Sequence, residues 1–112
     1  MKTEVRIVEK PWGREEIVEV NEKYVVKKLL MKKGQRCSLQ YHKIKKETVM
    51  VLEGQLGVLL NDKEFFLNPF EFVTISPGEV HRMFATENDC LYMESSTPEL
   101  DDVVRLSDDY KR

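Results

Sequence analysis

Long apolar runs are missing from this chain, and so is any sustained helical period. No stretch approaches the roughly 20 apolar residues that cross a bilayer as a helix, so a helical membrane span is excluded. The opening MKTEVRIVEK has no apolar h-region of the kind that marks a secretory leader, and a cytoplasmic location is expected. Cysteine is scarce: Cys37 and Cys90 are the whole supply. Neither stands in a zinc-finger spacing with a histidine, and a lone bridge is unfavoured in a leaderless protein, so both are expected as buried free thiols. Charge of one sign is also lacking. With 18 basic and 20 acidic residues the net charge is −2, and no global field recruits nucleic acid or an anionic membrane.

What is present is a succession of short strands. The 112 residues, 41% of them hydrophobic, suffice for one core and are too few for two domains. Residues 24–31 (YVVKKLLM), 37–42 (CSLQYH), 48–52 (TVMVL), 56–60 (LGVLL), 64–67 (EFFL), 71–75 (EFVTI), 80–85 and 90–95 read as strands. Polar or glycine-containing turns separate them, Asn61-Asp62-Lys63 and Ser76-Pro77-Gly78 among them. Residues 5–8 and 17–20 look strand-like too. This spacing predicts an all-β sandwich or closed barrel rather than a parallel α/β fold. The one helix candidate is the tail, where Thr97-Pro98-Glu99 offers a cap and first turn ahead of 100–106. The expected organisation is a single domain, with an N-terminal arm over 1–22, the barrel over 23–96 and a short helical tail over 97–112.

Histidine is as rare as cysteine, with His42 and His81 only. Gln40 and His42 stand two apart on a predicted strand and so share a face. A glutamine and a histidine on an interior face waste core volume unless they bind something. Glu47 follows a basic bend, Lys43-Ile44-Lys45-Lys46, and an antiparallel hairpin would return it beside His42. His81 follows Pro77-Gly78, where a tight turn can aim it inward. A lone histidine on a strand is more often hydrogen-bonded or exposed than a ligand. Here both histidines of the chain fall in the pattern. Gln40, His42, Glu47 and His81 make a shell for one divalent metal, with zinc, manganese, iron, nickel and cobalt all open.

The stretch GQRCSLQYHKIKKETVMVLEG from Gly34 to Gly54 resembles the first cupin motif, with Gln40 in place of its first histidine. Pro69 to His81, PFEFVTISPGEVH, resembles the second. There Phe70 replaces a glycine, Ser76 a proline and Ala85 the closing asparagine. A closer resemblance is to the cupin of type II mannose-6-phosphate isomerases, also found at the C-terminus of bifunctional mannose-1-phosphate guanylyltransferases. It rests on Lys10-Pro11-Trp12-Gly13, Val26-Lys27, Ser38-Leu39-Gln40-Tyr41-His42, His81-Arg82-Met83, Leu100-Asp101-Asp102-Val103-Val104-Arg105 and Asp108-Asp109-Tyr110-Lys111-Arg112. The pyrophosphorylase part of those enzymes has no counterpart here, so nucleotidyl transfer is not expected.

This resemblance implies a jelly-roll, or double-stranded β-helix, barrel. It also implies a metal-dependent isomerase that interconverts aldose and ketose forms of a sugar phosphate through an enediol. Glu94 occupies a position where the family has glutamate and is the candidate base. Lys27, Lys45, Arg82 and Arg105 are the candidates for phosphate capture. Lys45 stands where the family has arginine, which keeps the charge but loses the bidentate fork. Trp12 is expected to anchor the arm or to stack on a sugar. The arm's edge strands favour pairing with a second copy, so a homodimer is expected. Two alternatives stay open: a metal-binding cupin acting on another small carbohydrate or a sugar nucleotide, and a non-catalytic sugar-binding cupin.

Overall fold

The structure, a computed structural model, describes residues 1–110. Eleven strands run β1 (Arg6–Lys10), β2 (Gly13–Val20), β3 (Val25–Met31), β4 (Leu39–Tyr41), β5 (Glu47–Glu53), β6 (Leu56–Leu60), β7 (Lys63–Leu67), β8 (Phe72–Ile75), β9 (His81–Phe84), β10 (Cys90–Ser96) and β11 (Val104–Ser107). They form a six-stranded sheet in the order β1-β2-β3-β10-β5-β8 and a five-stranded sheet in the order β11-β4-β9-β6-β7. Every pairing is antiparallel. No helix forms among the described residues, and none is therefore long and apolar enough to cross a membrane.

Alternation sets the inner face of each strand. On β3, Val25, Lys27, Leu29 and Met31 are buried while the residues between them are not. On β5 the same pattern buries Glu47, Val49 and Val51. The core joins Leu29, Met31, Val49, Val51 and Tyr92 of the larger sheet to Leu56, Val58, Leu67 and Met83 of the smaller one. Each fully buried aliphatic side chain contributes about 1.5–3 kcal/mol by leaving water. The β1–β2 turn brings Trp12 into this cluster at 5% exposure. Gly13 beside it is required by close approach, since a Cβ there would lie 1.8 Å from the Leu30 carbonyl oxygen.

Two expectations change. The tail is not helical: residues 100–101 turn and β11 then pairs with β4, Arg105 opposite Gln40. A strand here satisfies backbone groups that the edge of β4 would otherwise leave unpaired, and β-branched Val103 and Val104 suit it. Lys111 and Arg112, the end of the predicted tail, lie outside the described residues. Second, β4 and β5 are not a hairpin, because they belong to opposite sheets. Phe70, in place of the motif's glycine, adopts the left-handed backbone that glycine would supply, at φ 70°. Its N–H still closes the turn onto the Val51 carbonyl at 2.7 Å.

Candidate metal centre

The two sheets bring together what the chain separates. His42 follows β4 and His81 opens β9, both in the smaller sheet, whereas Glu47 opens β5 in the larger one. Nε2 of His42 and Nε2 of His81 each lie 3.1 Å from the same Glu47 oxygen, Oε1. The ring centroids are 5.1 Å apart, and one donor atom from each of the three residues falls within 4.8 Å of the others. All three side chains are buried. The Gly78 N–H, in the turn before His81, donates to the His42 carbonyl at 2.7 Å and locks the two histidine segments together.

The other ring nitrogens decide the chemistry. Nδ1 of His42 meets the main-chain carbonyl of Asp102, and Nδ1 of His81 meets that of Glu79 at 2.9 Å. A carbonyl only accepts, so both Nδ1 atoms carry the proton and both neutral rings turn an Nε2 lone pair inward. Two lone pairs then face a carboxylate oxygen, an arrangement that repels unless a cation or extra protons intervene. His81 Nε2 and Glu47 Oε2 are buried without a hydrogen-bond partner in the ordinary sense. Orphaned polar atoms of this kind cost on the order of 1–3 kcal/mol each. Donor set, tautomers and orphaned atoms all fit a divalent metal.

Gln40 lies on β4 directly opposite His81 and lines a cavity together with His42 and Glu47. Its Oε1 accepts from Ser38 Oγ at 2.9 Å, which leaves the amide oxygen a second lone pair. This cavity measures about 130 Å3 and is also lined by Lys27, Lys45, Glu94, Arg105, Trp12 and Tyr92.

The charges in it are unequal in freedom. Burial pushes Glu47 up, but its polar contacts with Glu94, His42 and His81 and the charge of Lys45 overcome this and hold its pKa well below the usual carboxylate range. Glu94 goes the other way: burial, the Glu47 charge and the hydrogen bond it shares with Glu47 push it well up. The two carboxyls are thus driven apart, Glu47 toward its ionised form and Glu94 toward its protonated one. Lys45 Nζ sits 3.9 Å from an oxygen of each carboxylate. Burial lowers its pKa, but the charges of Glu94 and Glu47 more than offset this and leave it raised, so Lys45 is a fixed cation. Lys27 is taken by Glu15 at 3.2 Å, and Lys10 approaches that same carboxylate at 4.0 Å. Arg105 is exposed at the cavity wall and has no carboxylate within ion-pair range among the described residues.

Arg82 is not in this cavity. It alternates with His81 on β9, faces the other way, and donates to the carbonyls of Cys37 at 2.8 Å and Ser107 at 3.2 Å. Cys37 lines the cavity as a free thiol, but burial pushes its pKa up to about 11. Cys90, also free and fully buried, is pushed up to about 12. Asp102 escapes any reading of local pattern, for its contacts lie 57–60 residues upstream. Only its place in the family's tail motif marks it.

A barrel of two antiparallel sheets with a buried His–Glu–His group that could bind a metal is a cupin. The particular family follows from sequence: residues 1–108 match the family described as mannose-6-phosphate isomerase C-terminal, and the chain belongs to it. Mannose-1-phosphate guanylyltransferase ManC of Salmonella typhimurium is 33% identical over 114 residues, covering 96% of this chain and 23% of that protein. The alginate biosynthesis protein AlgA of Pseudomonas aeruginosa is 34% identical over 76 residues, covering 68% and 16%. This chain thus spans about a quarter or less of these relatives. Among solved structures, a cupin-2 domain from Rhodospirillum rubrum superimposes with a TM-score of 0.82 at 13% identity, over 94% of this chain and 80% of that one. KdgF from a Halomonas species gives 0.78 at 19%, over 88% and 89%. These likenesses establish the fold alone.

Proposed function

We propose that the chain holds one divalent metal through His42, Glu47, His81 and Gln40 and isomerises a sugar phosphate of the mannose 6-phosphate type. The observation that carries the reading is the pair of Nε2 lone pairs aimed at Glu47 Oε1, with both Nδ1 atoms committed to carbonyls. A metal bound there would polarise the substrate's carbonyl and hydroxyl oxygens. The residues around it supply the rest. Glu94, whose carboxyl is raised toward the range of a general base, would in its ionised form take the proton from one sugar carbon and return it to the adjacent one. Lys45 keeps a positive charge next to both carboxylates and steadies the oxyanion character of an enediol. Arg105, the exposed cation at the wall with no carboxylate partner among the described residues, captures the phosphate, with Lys27 behind it. The AlgA relative is an alginate biosynthesis protein, and supply of a sugar for surface polysaccharide in the cytoplasm is the matching role.

A coupled assay with mannose 6-phosphate and a panel of zinc, manganese, iron, nickel and cobalt salts tests this. Turnover that vanishes in His42→Ala and Gln40→Ala while the fold persists is the expected result; no turnover with any sugar phosphate under any metal refutes isomerisation. One observation favours a second reading, a non-catalytic sugar-binding cupin. Lys45 is drawn into the carboxylate pair, so it is not a free partner for phosphate. Sugar-phosphate binding by calorimetry without turnover identifies that case.

We also infer a homodimer. The arm presents Ile7, Val8 and Val18 to solvent on β1 and β2, with β1 at the sheet edge. Light scattering that returns a monomer at micromolar concentration rejects it.

A further inference from the structure

Residues 97–103 form a strap between β10 and β11 that places Leu100 and Val103 on the cavity wall. At one end Thr97 exchanges hydrogen bonds with the Lys46 backbone, its N–H to the Lys46 carbonyl and the Lys46 N–H to its Oγ1, both at 3.0 Å. At the other end β11 joins β4. Between these anchors stands Asp102. Its carboxylate accepts the backbone N–H groups of Lys43 at 3.0 Å, Ile44 at 2.7 Å and Lys45 at 2.9 Å. Its main-chain carbonyl accepts Nδ1–H of His42. One residue therefore caps the turn that carries Lys45 and also fixes the ring of His42. A substitution cannot delete the carbonyl, but loss of the carboxylate releases the tie that sets where the carbonyl sits.

We propose that Asp102 is a positioning residue for the metal centre. By pinning the strap to the turn at 43–45 it keeps His42 in the Nδ1–H tautomer with Nε2 directed at Glu47, and so sets the affinity and geometry of the site. This rests on the metal-centre reading above.

The test uses the full chain stripped of metal and titrated with Co2+, followed by calorimetry and by the visible absorption of the bound ion. Asp102→Ala is expected to weaken Co2+ binding about 10–100-fold, the cost usual for an outer partner of a ligating histidine, and to shift the visible bands. Asp102→Asn, whose amide keeps one acceptor oxygen, should fall between that variant and the parent. Asn21→Ala is the control. Asn21 caps another turn in the same manner, accepting from the N–H groups of Lys23 at 2.8 Å and Tyr24 at 3.0 Å, yet lies outside the cavity lining. It should lower the melting temperature and leave affinity and spectrum unchanged. Folded Asp102 variants with the parent's affinity and bands overturn the proposal, and if Asp102→Ala does not fold, Asp102→Asn decides on the same criteria. A parent chain that takes up no Co2+ overturns the metal-centre reading itself, an outcome distinct from the former.

Discussion

The two ends of the barrel interior are built from the same strands and do opposite things. On β3 the inner face passes from Lys27 to Leu29 and Met31; on β10 it passes from Ser96 and Glu94 to Tyr92 and Cys90. On β5 Glu47 gives way to Val49 and Val51, and on β9 His81 gives way to Met83. One end is close-packed and apolar, and it supplies the free energy of folding. The other buries His42, Lys45, Glu47 and His81, groups that cost stability when desolvated. The difference teaches that the apolar end is the foundation on which a costly electrostatic arrangement, one that could bind a metal, is held.

That division can be broken from either side. The largest effect is expected from Leu56→Ala, fully buried at the apolar end, which should lose about 2–5 kcal/mol in denaturant unfolding while folded protein keeps its metal affinity. Glu47→Gln should do the reverse. It removes the carboxylate proposed as the anionic ligand, so metal affinity should fall by at least the roughly 100-fold that marks the upper range for outer partners, while the unfolding midpoint of metal-free protein falls less than in Leu56→Ala. If Glu47→Gln collapses the fold instead, the two ends are not separable. Arg105→Ala probes the rim between cavity and solvent: KM for a sugar phosphate should rise about tenfold, matching the loss of a charge-assisted bond of about 1.5 kcal/mol, with kcat nearly constant. Smallest is Phe70→Gly, at the turn onto Val51. Relief of the left-handed backbone strain, about 1–2 kcal/mol, less glycine's extra chain entropy, should raise stability by roughly 0.5–1 kcal/mol in the same unfolding assay.

Much of this was legible in sequence because strands announce themselves locally. The run 56–60 is β6 as bounded from its residues alone, and the pairing of Gln40 with His42 on one face followed from a period of two. That same period places Arg82 opposite in facing to His81, although its charge had suggested the cavity. Glu47 does meet His42, but across the barrel and not through a hairpin, since nothing local says which sheet a strand will join. The tail fails for a similar reason. Leu100, Val103 and Val104 fit a helical face, and the decisive partners, the backbone of 43–45 and the edge of β4, are contributed by distant chain. Charge freedom was equally hidden: only the fold reveals that Lys27 is occupied by Glu15.

The position of Glu47 on one sheet and of both histidines on the other has a thermodynamic corollary. An ion seated between them acts as a rivet across the barrel, present in the native state and lost when the sheets part. Its binding energy then adds directly to resistance against heat, by about 2.7 kcal/mol when free ion stands at a hundred times its dissociation constant. A simple melting curve recorded over a series of metal concentrations thus becomes a titration, able to rank candidate ions before any substrate is known.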